Sequence, residues 1–240
     1  MRILFEDNHC LVVNKTPGLP TQAPPHVPDS EEAHARGWLM SKKGKTAGNV
    51  YLGIPHRLDR PVSGVLLFAK SSKAAARLAE QFRNRQVKKT YWALVASSSL
   101  LPPKGETATW SDHLSKVEGE ARGMVVSAET PGSKPAESVA RVVTREEEWA
   151  LVEVSPQTGR MHQIRLQCAH RGFPVLGDIT YGSPFGLGSG SGLPLIALHA
   201  RQLVFLHPIR YEPVTIEAPV PADWDKFPIG DSLRITLGLQ

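Results

Sequence analysis

The longest uninterrupted apolar run in this chain, Tyr91–Ala96, has the length of a single β-strand. A bilayer-spanning helix needs about 20 such residues, so this run cannot cross a membrane, and nothing suggests export or anchoring. Short apolar runs recur at residues 2–5, 10–14, 65–69, 139–144, 150–155, 199–205 and 214–218, several rich in β-branched residues. The first two flank the polar turn Glu6-Asp7-Asn8-His9 and predict an opening hairpin. The pattern is one of strands with a few helices between them.

Three helices carry start and stop signals. Asp29 with Glu32 forms a capping box for a helix from about residue 30 to Lys43, stopped at Gly44. Ser71 caps a helix whose Ala75, Leu78, Ala79 and Phe82 share one apolar face. Met161–Arg171 is a third, ended by Gly172 and Pro174. Pro17–Pro28 and the Gly/Ser-rich stretch Gly182–Pro194 read as loops, and residues 97–136 as hairpins and loops. Neither a repeat nor a composition break marks a second domain, so residues 1–240 are expected to form a single one.

The composition, 41% hydrophobic and 21% charged over 240 residues, is that of a soluble globular protein with a sizeable core. A formal charge of +5 and a pI near 9.3 favour an anionic partner, with nucleic acid the leading candidate. Cys10 and Cys168 are too few and too far apart for a disulfide framework or zinc ribbon, which fits a reducing, cytoplasmic setting. The nine histidines include no HExxH pair and no Cys/His cluster, so no metal site is expected. Gly44-Lys45-Thr46 ends like a phosphate-binding loop, but its required first glycine would fall at Leu39. Glycines 186, 188, 190 and 192 lack a following helix, and no nucleotide cofactor is expected.

Two segments carry chemistry. His56-Arg57-Leu58-Asp59-Arg60-Pro61-Val62-Ser63-Gly64 places an acid between two arginines, on a Pro/Gly-shaped loop before a buried strand. Such an acid can be a nucleophile, although the same composition also suits a surface salt-bridge loop. Gln157-Thr158-Gly159-Arg160-Met161-His162-Gln163-Ile164-Arg165-Leu166 lies where a strand meets a helix. With the helix starting near Met161, His162 and Arg165 fall one turn apart on one face. Between the two segments, Lys88-Lys89-Thr90-Tyr91 opens a strand, and the Tyr91 ring could stack on a base or simply pack.

In this order the segments resemble the pseudouridine synthases of the large-subunit ribosomal RNA synthase A family. The resemblance rests on HRLD at 56–59 with Ser63-Gly64, Lys89-Thr90-Tyr91, Gly159–Arg165, Gly177-Asp178 and Tyr181-Gly182. Asn14-Lys15-Thr16-Pro17-Gly18, His199-Ala200, Leu203 and His207-Pro208 are similar to its flanking landmarks, so residues 2–220 are covered. Val62 and Met161 stand where threonine is frequent, and Thr16-Pro17 replaces a usual Pro-Ala.

The resemblance implies an α+β fold on a long mixed, largely antiparallel sheet with flanking helices and a central active-site cleft. It implies Asp59, Tyr91 and Arg165 as the catalytic set, Arg165 pairing with Asp59, and Arg57 filling the space of an extruded base. His56, His162 and Leu166, from the same motifs, join Arg57 as expected substrate-binding residues. Arg83, Arg85, Lys88 and Lys89 form a basic run expected to contact RNA phosphates. No N-terminal S4-type domain is expected ahead of the opening hairpin. The implied activity is isomerisation of uridine in ribosomal or transfer RNA by a monomer, without a cofactor, a membrane or an obligate protein partner. Two other readings are a non-catalytic RNA-binding module and a carboxylate-dependent nucleoside or glycoside hydrolase. The latter calls for a second acid, and neither Glu80 nor Asp178 is evidently placed for it in the sequence.

Overall fold

In chain order the computed structural model contains β1 (Arg2–Glu6), β2 (Cys10–Lys15), α1 (Glu31–Lys42), β3 (Ser63–Ala69), α2 (Ser72–Arg83), β4 (Lys88–Ala96), β5 (Thr107–Lys116), β6 (Gly123–Val126), β7 (Lys134–Arg145), β8 (Trp149–Pro156), α3 (Gln163–His170), β9 (Leu187–Gly188), β10 (Pro194–Leu195), β11 (Leu198–Leu206), β12 (Pro213–Glu217) and α4 (Asp231–Leu237). The structure describes residues 1–23, 29–42, 44, 49–184, 186–188, 194–227 and 229–239. The loops expected over 17–28 and 182–194, and the Gly44-Lys45-Thr46 segment, lie partly outside the described residues. The fold is α+β, with a mixed, largely antiparallel sheet and flanking helices, as the resemblance implied. Two compact units are present, Met1–Lys89 with Ala200–Pro219, and Thr90–His199 with Val220–Gln240.

In the first unit the strand order is β1-β2-β3-β11, with β12 antiparallel on β11. The opening hairpin pairs Arg2 with Asn14, and β2 runs antiparallel to β3 from Cys10–Ala69 to Lys15–Gly64. Every residue of β3 is buried, which explains its continuous rather than alternating apolar run. Leu67, Leu78, Leu203 and Phe205 meet in its core, with Phe82 of α2 packed against them. Ser71 caps α2 as expected, its Oγ accepting the Ala74 N–H at 3.3 Å. The start of α1 differs from expectation. Ser30 supplies the capping oxygen, 3.1 Å from the Ala33 nitrogen, while Asp29 pairs with His34 and Glu32 with Arg36. The serine wins because its short hydroxyl reaches the first-turn amides from the residue directly before the helix.

In the second unit the order is β4-β8-β7-β5-β6, each neighbour antiparallel. Residues 97–136 hold a hairpin as anticipated, β5 with β6, and the ten-residue β5 also pairs with β7 from Thr107–Arg141 to Leu114–Lys134. Only Trp110 and Leu114 of β5 are buried, so its sequence reads as polar. The helix expected from Met161 begins at Gln163 instead, because His162 takes the left-handed conformation, φ 53°. α4 carried no signal in the sequence. Glu146 completes its start, accepting the Gly230 and Leu233 N–H groups at 2.8 and 3.0 Å.

Candidate active site

The loop bearing Asp59 is fastened on both sides of that residue. Before it, the buried Thr21 hydroxyl accepts the Leu58 N–H at 3.1 Å and donates to the Leu58 carbonyl at 2.9 Å. After it, the Arg60 carbonyl accepts the Gly18 N–H at 2.8 Å and the Lys15 ammonium at 3.1 Å, and Arg60 Nε returns a bond to the Gly18 carbonyl. The Asp59 carbonyl closes a turn over Arg60-Pro61 by accepting the Val62 N–H at 3.0 Å. Asp59 itself is half-buried and Arg57 exposed. Val62 is buried, so a hydrophobic side chain suits its position. Gly64, at φ +111°, ends the loop where any Cβ would strike the Ala200 carbonyl oxygen.

Lys15 is wholly buried, donating also to the Thr16 and Leu19 carbonyls at 2.9 and 2.7 Å. Burial pushes its ammonium down to about 7, with Arg60 adding to the shift, and Glu31 and Asp59 hold it up. His56 is committed to the scaffold: its Nε2 accepts the Leu67 N–H at 3.0 Å, and its ring stacks on Phe82 with centroids 4.7 Å apart. Burial, aided by Lys89, holds His56 at about 3, so the ring is neutral. Among the basic run Arg83, Arg85 and Lys88 are exposed. Lys89 differs, being half-buried with its ammonium pushed down by burial and by Arg85.

In the second unit, Arg165 stands in the first turn of α3 and forms a side-on fork with Asp178, Nε to Oδ2 at 2.6 Å and Nη2 to Oδ1 at 2.8 Å. Its guanidinium carbon lies 4.9 Å from the centroid of Tyr181. The Tyr181 hydroxyl accepts the Gly123 N–H at 3.0 Å and meets His162 Nδ1 at 2.7 Å. His162 thus reaches the arginine through Tyr181 and not along a shared helix face. Leu166 is a core residue, packed with Leu114 and Ala136 against Tyr181 and Val125. Tyr91 is half-buried on β4, opposite Val154 of β8.

Sequence reasoning assigned no role to Lys15, Thr21, Asp178 or Tyr181. Lys15, Asp178 and Tyr181 lay within family landmarks, but Thr21 had no signal beyond a hydroxyl in a proline-rich loop. Among the described residues, Asp7, Cys10 and His207 cluster at metal-ligating distance. His207 Nδ1 accepts the Ile209 and Arg210 N–H groups, so Nε2 carries the proton and donates to Asp7 Oδ2 at 2.7 Å. The same oxygen takes Arg210 at 3.1 Å, and burial raises the Cys10 thiol to about 12. Those lone pairs are spent on internal bonds, and the cluster fastens the opening turn to the end of β11.

The chain matches the family model described as RNA pseudouridylate synthase over residues 9–170. It belongs to that family, whose members are isomerases. Ribosomal large subunit pseudouridine synthase D of Xylella fastidiosa is 34% identical over 92% of this chain and 66% of the relative's length. tRNA pseudouridine synthase C of Vibrio cholerae is 30% identical over 93% of each protein. The solved structure of human RNA pseudouridylate synthase domain containing 4 superposes with a TM-score of 0.70 at 26% identity, covering 92% of this chain and 88% of its own. The chain therefore spans about two thirds of the length of the Xylella relative and nearly all of the Vibrio one.

Proposed function

We propose that this chain isomerises uridine to pseudouridine in structured ribosomal or transfer RNA, as a member of the synthase A branch, with Asp59 as nucleophile and Tyr91 and Arg165 completing the catalytic set. The observation that carries the proposal is the double fastening of the loop around Asp59, in a chain whose motifs follow that branch in order. A nucleophile must be held still against its substrate, and a backbone bonded on either side of the acid does this.

The reaction breaks the bond from ribose to uracil N1, turns the base, and forms a bond to C5, while a proton leaves C5 and N1 gains one. It is redox-neutral and calls for no cofactor. In this reading Asp59 attacks, and Arg165 favours its ionised form against the field of RNA phosphates. Tyr91 stacks on the ring and assists the proton transfers. The target base must leave its stack to be reached, and exposed Arg57 is suited to fill the gap. His162 and Leu166 serve the substrate pocket through the Arg165 surroundings, and His56 through its hold on the loop entrance. Arg83, Arg85 and Lys88 supply phosphate contacts, with half-buried Lys89 a lesser contributor.

No helix among the described residues is long and apolar enough to cross a membrane. We take cytoplasmic RNA as the substrate because the relatives are named for ribosomal and transfer RNA. We take the monomer as the working form, with no obligate protein partner. Incubating RNA of the source cell with the enzyme and excess chelator should yield pseudouridine at discrete positions. Free uracil would instead indicate a hydrolase, and unchanged RNA a binding module. Sequencing the modified positions distinguishes ribosomal from transfer RNA targets.

A further inference from the structure

We infer that Asp178 is a positioning residue for this reaction, acting through Arg165. The inference rests on the reading of Arg165 as the arginine that serves the catalytic aspartate. Both side chains are almost wholly buried, at 5% and 1% exposure, and their two parallel bonds fix the plane of the guanidinium as well as its place. A buried pair of this kind is weak evidence for stability, because desolvation offsets its attraction, so its geometry invites a functional explanation.

The carboxylate is built to stay where it is. The Asp178 N–H donates to the Val175 carbonyl at 3.0 Å, and its carbonyl accepts the Tyr181 and Ser183 N–H groups at 3.1 and 3.0 Å. Gly177, at φ +86°, makes the preceding turn where a Cβ would collide with the Leu195 carbonyl oxygen, and the Ser183 hydroxyl accepts the Gly177 N–H at 3.1 Å. Below the guanidinium, Tyr181 is pinned by Gly123 and His162. The fork occupies Nε and one side of Nη2, so the Nη1 hydrogens are aimed by Asp178 rather than by α3 alone. Asp178 also offsets the charge of Arg165 locally. The arginine then acts through directed N–H bonds more than through net charge, and direction is what the carboxylate supplies.

The test compares Asp178→Asn, Arg165→Ala and the double variant in single-turnover pseudouridine formation at saturating RNA, with RNA affinity measured separately. Asp178→Asn is expected to slow the step by roughly 10–100-fold, the scale for a misplaced catalytic group, while RNA affinity stays within about twofold. In the Arg165→Ala background the same substitution should change the rate by less than about twofold, because its route of action is gone. Full activity of Asp178→Asn beside an inactive Arg165→Ala overturns the positioning role alone. An active Arg165→Ala overturns the assignment of the arginine and the inference with it. Should Asp178→Asn fail to fold, Asp178→Glu keeps the charge and moves the carboxylate by one methylene. A slower step at unchanged affinity is again expected, and a parental rate overturns the inference.

Discussion

Lys15 Nζ donates to the carbonyl oxygen of Arg60, the residue after Asp59, across 3.1 Å. Its amine donates to two further carbonyls and is wholly buried, so a buried lysine underlies the loop that bears Asp59. Its value of about 7 lies far below the ordinary lysine range. Between about 7 and the unfolded value of roughly 10.5, the unfolded chain binds a proton that the folded chain does not. Stability therefore rises with pH across that window, and below it the cost of burying the charge is felt in full. Lys15→Met should flatten this rise by up to one proton in denaturation curves taken at successive pH values. It should also leave the Thr16 and Leu19 carbonyls unpaired, at about 1–3 kcal/mol for each that water cannot reach, while the Arg60 carbonyl keeps the Gly18 N–H. An unchanged pH slope would place the titration elsewhere.

Thr21→Val removes both bonds to Leu58 at nearly constant volume. A loss of about 2 kcal/mol is expected from the unpaired backbone groups, together with slower turnover at unchanged RNA affinity as the loop loosens. Thr21→Ser should restore most of both, since the hydroxyl is the working part. Equal stability of the valine variant in urea titration would contradict the role given to this residue.

Asp59→Asn keeps the shape of the side chain and loses its nucleophilicity. Product formation should fall below detection while filter or fluorescence assays still report RNA binding. Retained pseudouridine formation would move the chemistry to another group.

Replacing exposed Arg83, Arg85 and Lys88 with glutamine should weaken RNA binding and flatten its dependence on salt. The slope of log affinity against log salt should fall by about 0.7–0.9 for each phosphate that is no longer neutralised. Lys89→Gln is expected to alter the slope less, because that ammonium is half-buried and its charge is already disfavoured. An unchanged slope in the triple variant would place the RNA path on another face.

The sequence by itself determined what depends on neighbours along the chain. The opening hairpin, the Ser71 cap, the buried run of β3 and the family were all legible there, because period, capping and motif order are local properties. What only the tertiary structure decided depends on groups distant in sequence. Thr21 reaches Leu58 across 37 residues, Lys15 reaches Arg60 across 45, and Glu146 completes the start of α4 across 84. The left-handed turn at His162, which moves it off the helix and onto Tyr181, came from the same source. A buried lysine, a hydroxyl in a loop and an aspartate after a glycine look ordinary in one dimension. Their roles arise when folding removes water and leaves each polar group only the partners that the fold brings to it.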